Sequence, residues 1–240
     1  MEVTYATKAI ILRNEPWNDY DSRVVFYTKE KGKLNLIARG TKKISSKLAG
    51  HLEPLNIIDL MVINGKSLGY AGGAVSIDCC SDIKQDLAKL EASSLVVKWF
   101  DQNFKSAEPD AESFYLLEAF LNLLNKVRSE PIYYRLLASI TILKLIVSLG
   151  HRPNLKTCSI CQKDINNSSL RFDLINNGAV CLSCQPNKNQ LTMDISQACL
   201  EKLEMIMNNQ FDQVIKSLKI NHVLANELNL AVHNFIKTFV

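Results

Sequence analysis

Several signatures that would settle the class of this chain at once are missing. The amino-terminal Met1-Glu2-Val3-Thr4-Tyr5 has no basic segment leading into an apolar core, and the longest apolar stretch, Leu136 to Val147, is broken by Ser139, Thr141 and Lys144. These absences predict neither a signal peptide nor a membrane span. There is no Walker-type phosphate loop, no Gly-x-Ser-x-Gly elbow and no His-Glu-x-x-His pair. Histidine is scarce, and His151, His222 and His233 are scattered, as surface or hydrogen-bonded core residues are. Internal repeats and low-complexity tracts are also absent. What remains is 240 residues, 47% hydrophobic and 22% charged, the composition of a globular protein with one large domain or two small ones. Without a catalytic motif, the expectation is a binding protein and not an enzyme.

Against this background the cysteines stand out. Cys158-x-x-Cys161 and Cys181-x-x-Cys184 are two pairs separated by residues 162–180. A Cys-x-x-Cys turn brings two thiolates onto one ion, and two such turns supply the closed tetrahedral shell of a structural zinc site, so one Zn²⁺ per chain is predicted. Polar turn residues Asn166 to Ser169 and Asn176 to Gly178 flank the short apolar run Leu170 to Ile175. That pattern predicts a two-stranded ribbon between the metal knuckles. Two disulfides or four unrelated buried thiols are the competing readings, but the total of seven cysteines leaves Cys79, Cys80 and Cys199 over, which fits reduced thiols better than a disulfide framework. Cys79 and Cys80 should place one thiol inside and one outside, and Cys199 reads as a small buried hydrophobe.

Charge is distributed unevenly. The net charge is only +4, yet Arg23, Lys29, Lys31, Lys33, Arg39, Lys42, Lys43 and Lys47 face a single acid, Glu30, between positions 23 and 47. A local excess of +7 on a mildly acidic remainder points to a polyanion surface. The loop Arg39-Gly40-Thr41-Lys42-Lys43-Ile44-Ser45-Ser46-Lys47 combines cations, hydroxyls and a glycine that lets a phosphate approach the backbone. A solvated hairpin loop is the plain alternative.

Residues 1–80 carry strand signals: Val3 to Arg13, Arg23 to Thr28, Leu34 to Arg39, Leu55 to Ile63 and Ser67 to Ile77, with tight turns at Glu30 to Lys33 and Asn64-Gly65. Five strands in so short a segment fit an OB-type barrel, and an SH3-like barrel nearly as well. On such a barrel Phe26 and Tyr27 are candidate stacking platforms, one of them necessarily facing the core. Helical periodicity follows. Leu87, Leu90, Ser94 and Val97 mark one helix, and Phe114, Leu117, Leu121 and Leu124 a second. A third opens at Ser129-Glu130-Pro131, buries Ile132, Leu136, Ile140, Leu143 and Ile146 to Val147, and can close at Gly150. Ser196 to Met207 and Val223 to Phe239 read as two more. The fold expected is therefore α+β and multidomain: a barrel over 1–80, a helical domain over 81–152 and 190–240, and a Cys₄ zinc ribbon inserted at 153–189.

One catalytic alternative has a partial match. His51-Leu52-Glu53 resembles the His-x-Glu half of zinc nucleobase deaminases, but Thr157 and Val180 stand where a proline should precede each cysteine pair. Each pair is also already completed by the other, so His51 reads as a loop residue.

Three stretches carry a wider resemblance: Ser22 to Thr28 running through Gly32 to Gly40, Ser46 to Pro54, and Leu149-Gly150-His151-Arg152-Pro153 leading into the first cysteine pair. With Phe172, Gly178 and the second pair they resemble the bacterial RecO family of recombination mediators over nearly the whole chain. The resemblance implies an OB barrel followed by a helical domain with an inserted zinc ribbon, working in the bacterial cytoplasm on the nucleoid. It further implies binding of single- and double-stranded DNA, strand annealing, RecR and the acidic tail of single-stranded DNA-binding protein as partners, and indirect service to RecA. Carried over by position, the DNA contacts are Arg23, Lys31, Lys33, Arg39, Lys42, Lys43 and Lys47. An acidic tail needs a basic rim on an apolar face, for which Arg128, Arg135, Lys144 and Arg152 are the candidates. The segment Asn226 to Val240 has few basic residues, unlike a strong DNA surface. An RNA-binding barrel with a zinc ribbon, as in translation or transcription factors, is the second reading.

Overall fold

The computed structural model describes residues 4–65, 68–165, 170–173, 178–184 and 192–236. The turns expected at 166–169 and 176–177 lie outside them. The chain forms two compact units, Met1–Arg128 and Ser129–Val240. The helices expected as one domain are thus shared between both units, those before residue 128 belonging with the sheet.

The first unit begins with β1 (Thr4–Pro16), β2 (Ser22–Thr28), β3 (Gly32–Ala38), β4 (Ile57–Ile63) and β5 (Gly69–Asp78). They bond in the order β1-β2-β3-β5-β4, and β4 returns antiparallel to β1 to close a barrel. Only β3 and β5 are parallel, through Leu36 and Ile37 against Gly69 and Tyr70. The inward set is the alternate one that period-2 strands impose: Ala9, Ile11, Val24, Phe26, Leu36, Ala38, Ile58, Leu60 and Val62, with Leu52 from the loop. The β2–β3 turn depends on Gly32, which has φ +63° and passes so close to Glu108 that a Cβ would lie 2.0 Å from its carbonyl oxygen.

Three helices complete this unit: α1 (Ser81–Lys84), α2 (Leu87–Asn103) and α3 (Ala111–Lys126). Asp86 caps α2 by accepting from the N–H groups of Ala88 and Lys89, and Asp110 caps α3 through Ser113. Phe114, Leu117, Leu121 and Leu124 are fully buried, as their spacing predicts, whereas Leu87 is exposed. The helices cover the outer face of β2. Tyr27 packs edge-on against Phe100 and Phe104 with centroids 4.9 and 5.0 Å away, and stacks on Phe114 at 6.5 Å. Ion pairs Lys8–Glu118 and Arg13–Asp101, the latter at 3.0 Å, join β1 to the helices.

The second unit is built on α4 (Pro131–Ser148), α5 (Gln197–Asn208), α6 (Phe211–Ser217) and α7 (His222–Ile236). Proline opens α4 where its missing N–H costs nothing, and Gly150 follows it at φ +87°. By length and composition α4 is apolar enough to cross a membrane, but it is also the core helix of this unit, with 56% of it buried. It packs on α7, where Ser139 donates to Asn229 at 2.8 Å. Between α4 and α5 runs the cysteine segment, whose strands β6 (Leu170–Asp173), β7 (Gly178–Val180) and β8 (Thr192–Ile195) form a sheet in the order β7-β6-β8. The predicted ribbon is β6–β7, and β8 is a third strand that the sequence pattern did not reveal.

Tyr27 is the keystone of the barrel–helix contact. Tyr27→Ala is expected to cost about 3–5 kcal/mol in urea unfolding of the full chain, and Tyr27→Phe, which conserves volume, less than about 1.5 kcal/mol.

Candidate nucleic-acid interface and metal centre

The basic loop after β3 is a built structure. Gly40, at φ +67°, donates its N–H to Asp21 Oδ1 at 2.8 Å, and Thr41 donates its hydroxyl to Ser22 at 2.8 Å. Lys42 N–H bonds the Tyr20 carbonyl at 3.0 Å, its Nζ bonds the Asn18 carbonyl at 2.9 Å, and Ser46 N–H bonds the Lys43 carbonyl at 2.9 Å. The loop is thereby fastened to residues 17–21, between β1 and β2. The Asp21 carboxyl is held below its usual range because the Gly40 N–H and then the Asn18 amide bond it, with Arg39 and Lys43 adding favourable charge.

The cations of this region lie over aromatic rings. Arg39 sits 4.1 Å from the Tyr70 ring centroid, Lys43 is 5.5 Å from Tyr20, and Arg23 is 5.6 Å from Trp17. Farther along, Lys31 is 5.8 Å from Tyr5 and Lys29 is 5.2 Å from Tyr115. Lys42, Lys43 and Lys47 are exposed, and Arg23, half-buried, also donates through Nε to Asn35 at 2.9 Å. Lys33 departs from the expectation. Its Nζ is spent on Asp101, at 2.5 Å to the carbonyl and 3.6 Å to the carboxylate, so it serves the barrel–helix contact and not the open surface.

Phe26 and Tyr27 are not platforms either, since both are fully buried: Phe26 in the barrel, Tyr27 beneath the helices. The accessible rings beside the basic loop are instead Trp17 and Tyr20, 49% and 61% exposed, in the β1–β2 loop. Basic residues interleaved with aromatics across neighbouring loops were the available signal. His51, in a 3-10 turn of the first unit, uses Nδ1 to accept the Ser76 N–H at 3.2 Å and meets the Ser76 hydroxyl at 2.9 Å, a structural role.

The cysteines converge as the spacing predicts. The sulfurs of Cys158, Cys161, Cys181 and Cys184 all lie within 4.8 Å of one another, and Cys161–Cys181 is 3.8 Å. That separation matches the edge of a regular tetrahedron with metal–sulfur bonds of about 2.3 Å, and is far beyond a disulfide bond of about 2.05 Å. The set can therefore hold a metal ion. The first knuckle is shaped by Asn154, whose Oδ1 accepts from Lys156 and Thr157, and by Gln162 at φ +60° immediately after Cys161. It is tied to β7 by Ser159 N–H to the Ala179 carbonyl at 2.9 Å. Two of the thiols are biased toward the thiolate. The Ser183 hydroxyl, then the Cys184 N–H, draw the Cys181 thiol down to about 6, against the opposing effect of burial. Burial pushes Cys158 up, but N–H groups of Cys161, Cys181 and Ile160 bring it below its usual value. Cys184, hydrogen-bonded to Cys161 and Cys181, is raised to about 12 and retains the proton that a metal would displace. Outside the set, Cys79 is exposed, while Cys80 and Cys199 are buried.

Of the four partner-binding candidates, the three in the second unit do not share one face. Arg128 ends the first unit and is exposed. Arg135 and Lys144 are nine residues apart on α4, which at about 100° per residue places them on opposite sides of the helix. Lys144 and Arg152 do converge, on the end of α5: Lys144 Nζ donates to the Asn209 carbonyl at 2.5 Å and Arg152 to Asn208 Oδ1 at 2.6 Å. Arg152 also lines a cavity of about 400 Å³ with Pro153, Leu155, Lys156, Glu204 and Met207.

Two family models divide the chain between them: "Recombination protein O N terminal" matches residues 1–79 and "Recombination protein O C terminal" matches residues 84–239. Among curated relatives, the DNA repair protein RecO of Thermodesulfovibrio yellowstonii is 28% identical over 239 residues, covering 98% of this chain and 92% of the relative. That of Thermoanaerobacter sp. is 23% identical over 231 residues, covering 96% and 90%. That of Dehalococcoides mccartyi strain CBDB1 is 27% identical over 234 residues, covering 97% and 89%.

The metal centre makes a direct prediction. Protein purified without chelator is expected to carry one metal equivalent per chain by elemental analysis, and Cys158→Ser or Cys181→Ser should lose it together with part of the thermal stability of the second unit.

Proposed function

Because the chain belongs to the RecO family of DNA repair proteins, we propose that it is a non-catalytic recombination mediator. It binds single- and double-stranded DNA, anneals complementary strands, and helps load RecA onto strands coated with single-stranded DNA-binding protein. The observation that carries this reading is the set of cation–aromatic pairs Arg39–Tyr70, Lys43–Tyr20 and Arg23–Trp17 on the β1–β2 and β3–β4 loops and adjoining strand ends of a five-stranded closed barrel. The strand order fits an OB-type barrel, a fold whose β1–β2 loop is one of the places that bind oligonucleotides, and Trp17 and Tyr20 lie on that loop, with Arg39 and Lys43 on the β3–β4 loop fastened to it. Arg23, Lys31, Arg39, Lys42, Lys43 and Lys47 are the phosphate contacts in this reading, and Lys33 is left out because Asp101 holds it.

Annealing needs no reacting group. Two strands repel through their phosphates, and cations that neutralise both let complementary bases meet. The four-cysteine shell, in this reading, binds Zn²⁺ and leaves no open coordination position, so the metal organises structure in the second unit and takes no part in chemistry. RecR and the acidic tail of single-stranded DNA-binding protein are the proposed protein partners. For the tail, the proposed seat is the cavity in which Arg152 and Lys156 stand beside Pro153, Leu155 and Met207, with Glu204 the one acid in its lining. The site of action is the bacterial cytoplasm, at the nucleoid.

The decisive assay is annealing of complementary oligonucleotides already coated with single-stranded DNA-binding protein, which the purified chain should accelerate without a nucleotide cofactor. A competition in which RNA displaces single-stranded DNA of equal length would instead favour a translation or transcription factor.

Phosphate neutralisation has its own signature. The double substitution Lys42→Ala and Lys43→Ala is expected to lower the log–log salt slope of binding by up to about 1.4 on single strands, with metal content and melting temperature nearly unchanged. An unaltered slope and affinity would place the phosphates elsewhere.

A further inference from the structure

Between the β1–β2 loop and the basic loop lies an open cleft of about 530 Å³, lined by Asn18, Asp19, Tyr20, Asp21, Arg39, Gly40 and Lys43. Its size is that of a small-molecule pocket. Its lining is not that of a phosphate site. Two carboxylates, Asp19 and Asp21, share the walls with the two cations, so a phosphate entering the cleft would meet like charge, as would an acidic peptide. The remaining surface is a tyrosine ring and short polar groups, which suit a neutral, flat ligand with hydrogen-bonding edges.

We infer that this cleft takes one unstacked nucleobase, with the Tyr20 ring as its stacking platform and Arg39 and Lys43 holding the flanking phosphates at the rim. The inference rests on the reading of the barrel as a DNA-binding unit and adds what that reading leaves open, namely how a single strand is distinguished from a duplex. Tyr20 is 61% exposed even though Lys43 lies 5.5 Å from its centroid, so ring area remains for a base. The platform is also fixed in place before any ligand arrives. Tyr20 donates its N–H to Asn18 Oδ1 at 2.9 Å and its carbonyl accepts from Lys42 at 3.0 Å, while Trp17 N–H bonds the Asp21 carbonyl at 3.0 Å. Little ordering entropy is left to be lost on binding. A base inside a duplex is paired and stacked between neighbours, whereas a single strand presents free π-faces, so only the latter fills the cleft without unpairing.

The test compares Tyr20→Ala and Tyr20→Phe in the full chain, measuring affinity for a fluorescent single strand and for its duplex across a range of salt concentrations. Tyr20→Ala should weaken single-strand binding about 5- to 150-fold, the range of one base–aromatic stack, while leaving the salt slope and duplex affinity unchanged. Tyr20→Phe should bind as the parent does. Three results would overturn the inference: no loss, an equal loss on single strand and duplex, or a slope reduced by about 0.7, which would mean that the ring only positions Lys43. Failure of the underlying reading looks different, since the parent chain itself would then bind neither strand. If Lys42→Ala with Lys43→Ala has no effect, the assignment of Lys43 to a flanking phosphate is overturned, and a selective loss of single strands in Tyr20→Ala then supports the stacking platform alone.

Discussion

Strand β2 is buried on both faces, and much of the first unit follows from that. Val24 and Phe26 fill the barrel, while Val25 is buried outside that core and Tyr27 is covered by aromatic rings of α2 and α3. A strand whose two faces are both committed has no surface left for a ligand except at its ends. The open side chains of β2 are therefore at its end, where Arg23 emerges beside Trp17. The same covering explains Lys33, which is drawn to Asp101 on the helix that overlies its own turn. Burial of Tyr27 among Phe100, Phe104 and Phe114 makes the helices after the barrel part of its unit, so the compositional change after Ile77 is not a boundary between units.

In the second unit, order around the cysteines comes from several sources besides any metal. Strand β8 pairs with β6, Phe172 meets Phe235 of α7 at 6.2 Å, and Glu227 of α7 accepts from the Ser196 N-cap of α5. The knuckles thus rest on a small sheet tied to two helices. In this setting a four-sulfur shell does not carry the fold alone, in contrast to isolated zinc fingers, which are unfolded without metal. Clustered thiols, one favouring the thiolate and another retaining its proton, form a site prepared for a cation.

The sequence made local order legible and long-range commitment illegible. Turn residues at Gly32 and Asn64-Gly65 mark the hairpins, and the 3.6 period of Phe114 to Leu124 marks α3, because each signal lies within one element. The short helices α1 and α6 and the strand β8 are too brief to show a period, and β8 is specified mainly by its partner β6. The cysteine site was legible because two spacings sufficed to define it. The exposed rings of Trp17 and Tyr20 were not, since nothing in a run of polar neighbours tells which ring the fold leaves uncovered. The pairing of Lys33 with Asp101 spans 68 residues and is visible only in three dimensions. By contrast, the opposite placement of Arg135 and Lys144 on α4 could have been read by counting helical turns.

The Asp21 carboxylate accepts from the Gly40 backbone with one oxygen and from the Asn18 amide with the other. One side chain thus splices two loops that approach from different strands. Mechanically the pair behaves as a single jaw and not as two independent fingers, and a tug on either loop is transmitted to the other. A ligand resting on both must break all its contacts nearly together in order to leave, so the splice acts on residence time far more than on the frequency of encounter. Grip of this kind, firm once seated but indifferent to approach, is set by a carboxylate that need not touch the ligand at all.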